Sequence, residues 1–284
     1  MKILPSISIM LLSALTLNAA CKENRQQNIS NTPTEMTDNQ TTAVTAEENE
    51  VTVTCIRDNK KERIMPLSLF GNIPQSLIDS LGISNGIPAS VNAILVKTGD
   101  TTILFDTGFG NPDSQLPTAL NNKSEDVKYI YLTHFHGDHI GGMMKGDKPA
   151  FPNAEVYASR EEYEGWMKMP EKDKAQVVKT MKAYEKHLHL FEFGDTLPGN
   201  VIALDGRGHT PGHTIYNVNN EVLIAGDIMH GMALQLPHPE YCASYDMDKE
   251  NAIKTRKRFI KYAKEKKIDI AGMHIPLPGI ISFK

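Results

Sequence analysis

Three histidines and one aspartate fall within six consecutive positions of Thr133-His134-Phe135-His136-Gly137-Asp138-His139-Ile140-Gly141-Gly142, in a chain that has only ten histidines. Imidazole nitrogens and carboxylate oxygens are donors that zinc and similar divalent ions take, normally four or more per ion. If the stretch follows a strand, residues two apart point to the same side, so His134 and His136 converge on one ion. Gly137 lets the chain turn, and the turn aims Asp138 and His139 at a second ion beside the first. Neither set is complete, so further ligands must come from elsewhere.

Candidates stand in similar settings. Gly208-His209-Thr210-Pro211-Gly212-His213 puts histidine in a tight Gly/Pro turn between two expected strands. Asp227 follows the apolar run Val222-Leu223-Ile224 through Ala225-Gly226, and His274 follows Ile268 to Ala271 through Gly272-Met273. Polar residues leaving the ends of buried strands are where rigid scaffolds carry their sites. Other histidines read differently. His187 and His189 repeat the spacing of His134 and His136, but no acid or Gly-Gly pair follows, so they read as surface residues. His238, between two prolines, reads as a loop residue. His230, three residues after Asp227 and near enough to approach the pocket, reads as structural.

The elements that must position these groups are legible as alternation and as helical runs. Val51 to Ile56 alternates like a strand, and residues 91 to 105 read as a hairpin around Thr98-Gly99-Asp100 that runs into Asp106-Thr107-Gly108. Val127 to Leu132 delivers the histidine stretch. Glu161 to Lys186 is helical, with a break at Pro170. Strands are expected at His189 to Phe193, Val201 to Leu204, Thr214 to Val218 and Val222 to Ile224. Asp248 to Lys267 forms a helix, with Asp248 as its cap and Ile253, Phe259, Ile260 and Ala263 on its apolar side. Many strands with interspersed helices make a mixed α/β domain over residues 51–284.

A net charge of −4 shows no excess of Lys and Arg, which disfavours nucleic acid as a partner. Residues 1–20 read as a signal peptide: Lys2 precedes the apolar run Ile7 to Leu17, which is shorter than the ~20 residues that span a bilayer. The run ends in Leu17-Asn18-Ala19-Ala20-Cys21, which resembles the lipobox of bacterial lipoproteins and makes Cys21 the expected lipidation site. Residues 22–50, rich in Asn, Gln, Thr, Ser and Glu, read as a disordered tether. The expected location is outside a bacterial cytoplasm, anchored by lipid to a membrane and facing the periplasm or the cell surface. Cys55 and Cys242 are read as free.

Taken in order, HxHxDH, GHTPGH, Gly-Asp and a late His resemble the signature of the metallo-β-lactamase superfamily, over roughly residues 51 to 280. The resemblance implies a four-layer αβ/βα sandwich with metals at one edge. It implies one ion on His134, His136 and His213, a second on Asp138, His139 and His274, and Asp227 bridging them. Asp106 and His209 would support the ligands from behind. The cofactor expected is two divalent ions, zinc foremost, which lower the pKa of a bridging water toward ~7. Asp138 and Asp227 would orient that water or relay its proton. The implied activity is hydrolysis of a small-molecule ester, lactone or phosphotriester. Alternatives are an acyl-homoserine-lactone lactonase, a β-lactamase, or a metal-binding lipoprotein impaired in turnover.

A finer likeness runs through Phe151-Pro152-Asn153-Ala154-Glu155-Val156-Tyr157, Trp166, Gly226-Asp227-Ile228, Leu234-Gln235-Leu236, Lys254-Thr255-Arg256-Lys257 and His274 with Pro278-Gly279. It resembles methyl parathion hydrolase and its relatives, and implies that Trp166 lines the substrate pocket. Relatives of that kind continue beyond the position of Lys284, so the last sheet edge is expected to be incomplete.

Overall fold

The computed structural model describes residues 51–284; the expected signal peptide, the expected lipidation site Cys21 and the expected tether lie outside them. Two six-stranded sheets carry the architecture. The first runs Val51–Arg57, Asn92–Thr98, Thr101–Phe105, Tyr129–Tyr131, Glu155–Ser159 and Leu188–Phe191 in spatial order, antiparallel through the hairpin and parallel from Thr101–Phe105 onward. The second runs Thr196–Leu197, Val201–Asp205, Thr214–Val218, Val222–Ile224, Asp269–Ala271 and Ile280–Ile281. Its one parallel pair joins Val222–Ile224 to Asp269–Ala271.

Strand periodicity explains why the sheets stack. Ile94, Val96, Ile103, Phe105 and Tyr131 of the first sheet share a core with Ala203, Tyr216, Val218, Ile224 and Ala271 of the second. The residues between them in sequence point the other way. Ala93, Leu104 and Ile130 meet Trp166, Val177 and Met181 from the helices Arg160–Met167 and Glu171–Ala183. On the far side, Ile215, Leu223 and Ile270 meet Phe259, Ile260 and Ala263 of the helix Lys249–Lys266. Strands covered on both faces are apolar throughout, not alternating, and the result is helix, sheet, sheet, helix, as expected.

The local signals explain the helix ends. Asp248 accepts from Asn251 N at 3.1 Å and caps the long C-terminal helix. The break at Pro170 separates Arg160–Met167 from Glu171–Ala183, with Ser159 capping the first. Sequence patterning missed residues 63–89, where strands Arg63–Met65 and Ile87–Ala89 pair antiparallel around the short helix Gln75–Leu81. Their core of Met65, Phe70, Ile73 and Ile87 packs with Leu234. At the other end, Ile280–Ile281 pairs antiparallel with Asp269–Ala271 as the outer strand of the second sheet. Cys55 and Cys242 are free. No helix among the described residues is long and apolar enough to cross a membrane.

Phe105 sits at the centre of the inter-sheet core, with its ring 5.4 Å from that of Tyr131 and 5.2 Å from that of Tyr216. Phe105→Ala leaves a cavity among aromatic rings that have little room to collapse, and should cost about 3–5 kcal/mol. Urea unfolding measures this; a loss below about 1 kcal/mol would contradict the packing described.

Candidate metal centre

The candidate ligands leave the sheets together, at one edge of the sandwich. Asp106 follows Thr101–Phe105, the histidine stretch follows Tyr129–Tyr131, Asp227 follows Val222–Ile224 and His274 follows Asp269–Ala271. Each lies beyond the C-terminal end of a strand that has a parallel neighbour. Backbone bonds stitch the two sheets at this edge: Thr214 N donates to Thr133 O at 2.8 Å and the Tyr216 hydroxyl to Leu132 O at 2.6 Å. Asn92 holds the His274 loop, its amide nitrogen donating to Gly272 O at 3.0 Å and Ile275 O at 2.8 Å.

Three ring nitrogens converge. His136 Nδ1 stands 2.9 Å from His134 Nε2 and 2.9 Å from His209 Nε2. Asp227 Oδ2 is 3.8 Å from His134 Nε2 and 3.4 Å from His209 Nε2. A tetrahedral ion with bonds of about 2.0–2.1 Å separates its ligand atoms by about 3.3–3.4 Å, so these four donors match one coordination sphere. The second set is Asp138, His139 and His274. His139 Nε2 lies 3.8 Å from Asp138 Oδ1, and His274 Nε2 lies 3.5 Å from Asp138 Oδ2. Asp227 also faces this set, at 3.3 Å from His139 Nε2 and 3.0 Å from His274 Nε2. His139 Nε2 and Asp227 Oδ1 are buried without hydrogen-bond partners in the described residues, which is unusual enough to need a reason. The donor set and its orphaned atoms fit a pair of divalent ions.

The structure places His209, and not His213, beside the first donor set. His213 stands at the start of the strand Thr214–Val218 and both its ring nitrogens are committed to backbone: Nδ1 to Gly206 O at 3.0 Å, and Nε2 accepting from Asp227 N at 2.9 Å. It therefore holds the turn at Gly226, whose φ of 52° brings it against that ring. His209, at the tip of the Gly/Pro turn, extends into the cluster, and Asp246 Oδ1 orients its other nitrogen at 2.9 Å.

Buried acids brace the loops. Asp106 accepts from Thr133 N at 2.8 Å and Thr133 Oγ1 at 2.7 Å, and His139 Nδ1 donates to it at 2.6 Å. Glu162 was missed. Its Oε1 accepts from Phe135 N at 3.0 Å and Trp166 Nε1 at 2.6 Å, while Oε2 accepts from Thr210 Oγ1 at 2.8 Å and Gly212 N at 2.7 Å. One carboxylate thus ties the HxHxDH loop to the GHTPGH loop. Nothing in the sequence separates Glu162 from its neighbour Glu161, which is exposed enough to pair with Arg207. Asp246 is in turn gripped by the buried Arg256 at 3.2 Å.

Burial and charge set the protonation. Burial pushes His136 down to about 4, His213 to about 4 and His209 to about 3, and His134 well below its ordinary value. Neutral imidazoles with free lone pairs are the ligating form. Burial also acts to lower His139, but Asp227, Asp106 and Asp138 outweigh it and raise it; for His274 the same burial is overcome by Asp227 and Asp138. Burial alone would raise Asp227, yet His139 and His274 hold it well below the carboxylate range. These directions record a concentration of negative charge at Asp227 that a cation offsets.

A cavity of about 310 Å³ opens onto the cluster, lined by Arg63, Met65, Phe109, His136, Gly137, Asp138, His209, Asp227, His230, Tyr245 and His274. Trp166 is not among them, against expectation. It is buried behind the site, its indole nitrogen on Glu162 and its ring edge-on to His136 with centroids 5.7 Å apart. His230 is buried, and its Nε2 stands 3.2 Å from Asp227 Oδ2 at the cavity wall. His187 and His189 lie at the surface on Glu155.

Residues 86–272 match the family model described as the metallo-beta-lactamase superfamily. The chain is similar to the uncharacterized protein YobT of Bacillus subtilis (strain 168), 29% identical over 183 residues that make up 58% of this chain and 76% of that protein. Two solved structures superpose with a TM-score of 0.73 each. One is hydrolase AbOPH in beta lactamase superfamily, 29% identical over 82% of this chain and 89% of that one. The other is AidC, described as a dizinc quorum-quenching lactonase in complex with a product, 26% identical over 83% of this chain and 91% of that one.

Glu162→Gln replaces one acceptor oxygen by an NH₂ group, leaving two donors of one metal-site loop without a partner at about 1–3 kcal/mol each. Urea unfolding should show a loss of roughly 2–6 kcal/mol. Unchanged stability in this variant would remove Glu162 from its bracing role.

Proposed function

The chain belongs to the metallo-β-lactamase superfamily, and from that premise we propose that it is a metal-dependent hydrolase of carboxylic esters or lactones. The observation that carries this reading is the meeting of two donor sets on the single buried carboxylate of Asp227. In this reading His134, His136 and His209 hold one divalent ion, and Asp138, His139 and His274 hold the other, with Asp227 shared. His213 fixes the turn beneath them. Nitrogen-rich donors suit zinc, and AidC is described as a dizinc enzyme.

When bound, two such ions supply Lewis acidity toward a carbonyl oxygen and a nucleophilic hydroxide at neutral pH. The rest of the work falls to side chains. Asp138 lies partly exposed on the cavity wall, where its carboxylate is available to accept a proton from the attacking water and return it to the leaving alkoxide. Asp106 keeps His139 in the tautomer whose Nε2 faces the site. Met65, Phe109 and Tyr245 form an apolar wall suited to the acyl part of a substrate and to excluding water from it. An ester or lactone is favoured over an aryl phosphotriester because Trp166, the aromatic expected to grip an aryl group, faces Glu162 and not the cavity. AidC, described as a lactonase, supports the same substrate class.

Metal-replete protein assayed on hexanoyl-homoserine lactone, p-nitrophenyl acetate, an aryl phosphotriester and nitrocefin tests the reading. Turnover of the lactone or the acetate is expected; hydrolysis of nitrocefin alone, or of nothing, would overturn it. Elemental analysis tests the ligands separately. Asp227→Ala should lose both ions and His209→Ala about one of the two, while His213→Ala should keep about two. Loss of metal in His213→Ala with none in His209→Ala would reverse the two assignments.

A further inference from the structure

Arg63 is the one described arginine that makes neither a hydrogen bond nor an ion pair with any described residue. Arg57 bonds Lys60 O, Arg160 pairs with Glu192, Arg207 with Asp205 and Glu161, Arg256 with Asp246, and Arg258 reaches Asp205 O. Arg63 is half-buried in the strand Arg63–Met65, which Ile87–Ala89 holds in register, and it lines the same cavity as Asp138, Asp227 and His274. Its guanidinium carbon stands 5.1 Å from the centroid of the Phe109 ring. Phe109 is fixed in turn, because its backbone N–H donates to the buried Asp58 at 2.9 Å. A guanidinium resting on an aromatic face keeps its N–H fork free in the plane of the group, the geometry that takes a carboxylate through two parallel bonds.

Neither acid of the cavity answers this cation. Asp138 and Asp227 are directed to the histidine cluster and form no ion pair with Arg63. Two divalent ions held against those two carboxylates would make the cavity positive at its floor, and Arg63 adds a second positive group. We propose that Arg63 is a specificity-determining residue that binds a carboxylate on the acyl part of the substrate, so that the preferred substrates are monoesters or lactones bearing a second, anionic group. This rests on the hydrolase reading for the reaction, but the recognition of the anion is separable from it.

The probes are matched pairs. Mono-p-nitrophenyl glutarate and p-nitrophenyl butyrate share a leaving group and differ in the distal carboxylate; glutarate and butyrate are the corresponding product acids. Metal-replete wild type should prefer the glutarate ester in kcat/KM, and calorimetry should show glutarate binding roughly 10–100-fold tighter than butyrate. Arg63→Gln should shrink both preferences to under about threefold, mainly through KM, and Arg63→Lys should restore part of them. Equal preferences in wild type and Arg63→Gln, or no preference in wild type, would overturn the inference. If neither ester is hydrolysed but glutarate still binds in an Arg63-dependent way, the hydrolase reading fails and the anion site stands. If both esters are hydrolysed with a ratio that Arg63→Gln does not move, the reverse holds.

Discussion

The carboxylate of Asp227 is almost fully buried and is met by ring nitrogens from five histidines: His134, His139, His209, His230 and His274, at 3.0 to 3.8 Å. An ionised acid removed from water is tolerated only where partners replace its hydration. Here the partners come from loops following four different strands, so no loop can be moved without stripping the charge. Equally, the five imidazoles crowd one another and would not gather without the acid between them. The site is a mutual arrangement in which each charge is the reason the others can be buried.

The same logic repeats one layer out. Asp106, Glu162, Asp246 and Asp58 are all buried acids, and each accepts from backbone or side-chain donors of a loop that reaches the site. A carboxylate that receives several hydrogen bonds holds its donors at fixed separations, because each bond is short and charge-assisted. This is how flexible connections become rigid enough to keep donor atoms within coordination distance. The glycines serve the same end. A β-carbon on Gly142 would strike the Thr107 carbonyl, and without it the turn after Asp106 packs directly onto the helix start that carries Asp138 and His139, where Thr107 N donates to His139 O at 2.8 Å.

Much of this was legible in the residues. Thr214 to Val218 and Val222 to Ile224 were expected as strands and are strands, because a buried strand is an apolar run between turn residues and nothing else nearby competes. The HxHxDH stretch identified itself by density of donors. What the sequence could not show is direction across space. His209 and His213 are both histidines of one Gly/Pro turn, and residue type does not say which ring turns inward; that depends on Gly206 O, just before the turn, and on Asp227 N in the loop after Val222–Ile224. Resemblance alone suggests Trp166 as a pocket wall, but Glu162, one helical turn before it, offers the indole N–H an acceptor and holds the ring behind the site. Residues 63–89 lacked a long periodic run, so the strand that brings Arg63 and Met65 to the cavity was invisible.

Because the loops are bonded to one another across the two sheets, the core and the centre are not separate achievements of the fold. Tyr216 packs against Phe105 and Tyr131 in the inter-sheet core and also donates to Leu132 O, two residues before His134. A change that let the sheets slide would shift Thr133 against Thr214 and open the separation between His134 and His209, which belong to different sheets. Tight aromatic packing resists sliding more than a uniform aliphatic core does, since rings have few rotamers and specific edge contacts. The tyrosines between the sheets therefore act on the donor geometry at a distance. A hydroxyl in the core, ordinarily a cost, is here placed where it registers one half of the centre on the other.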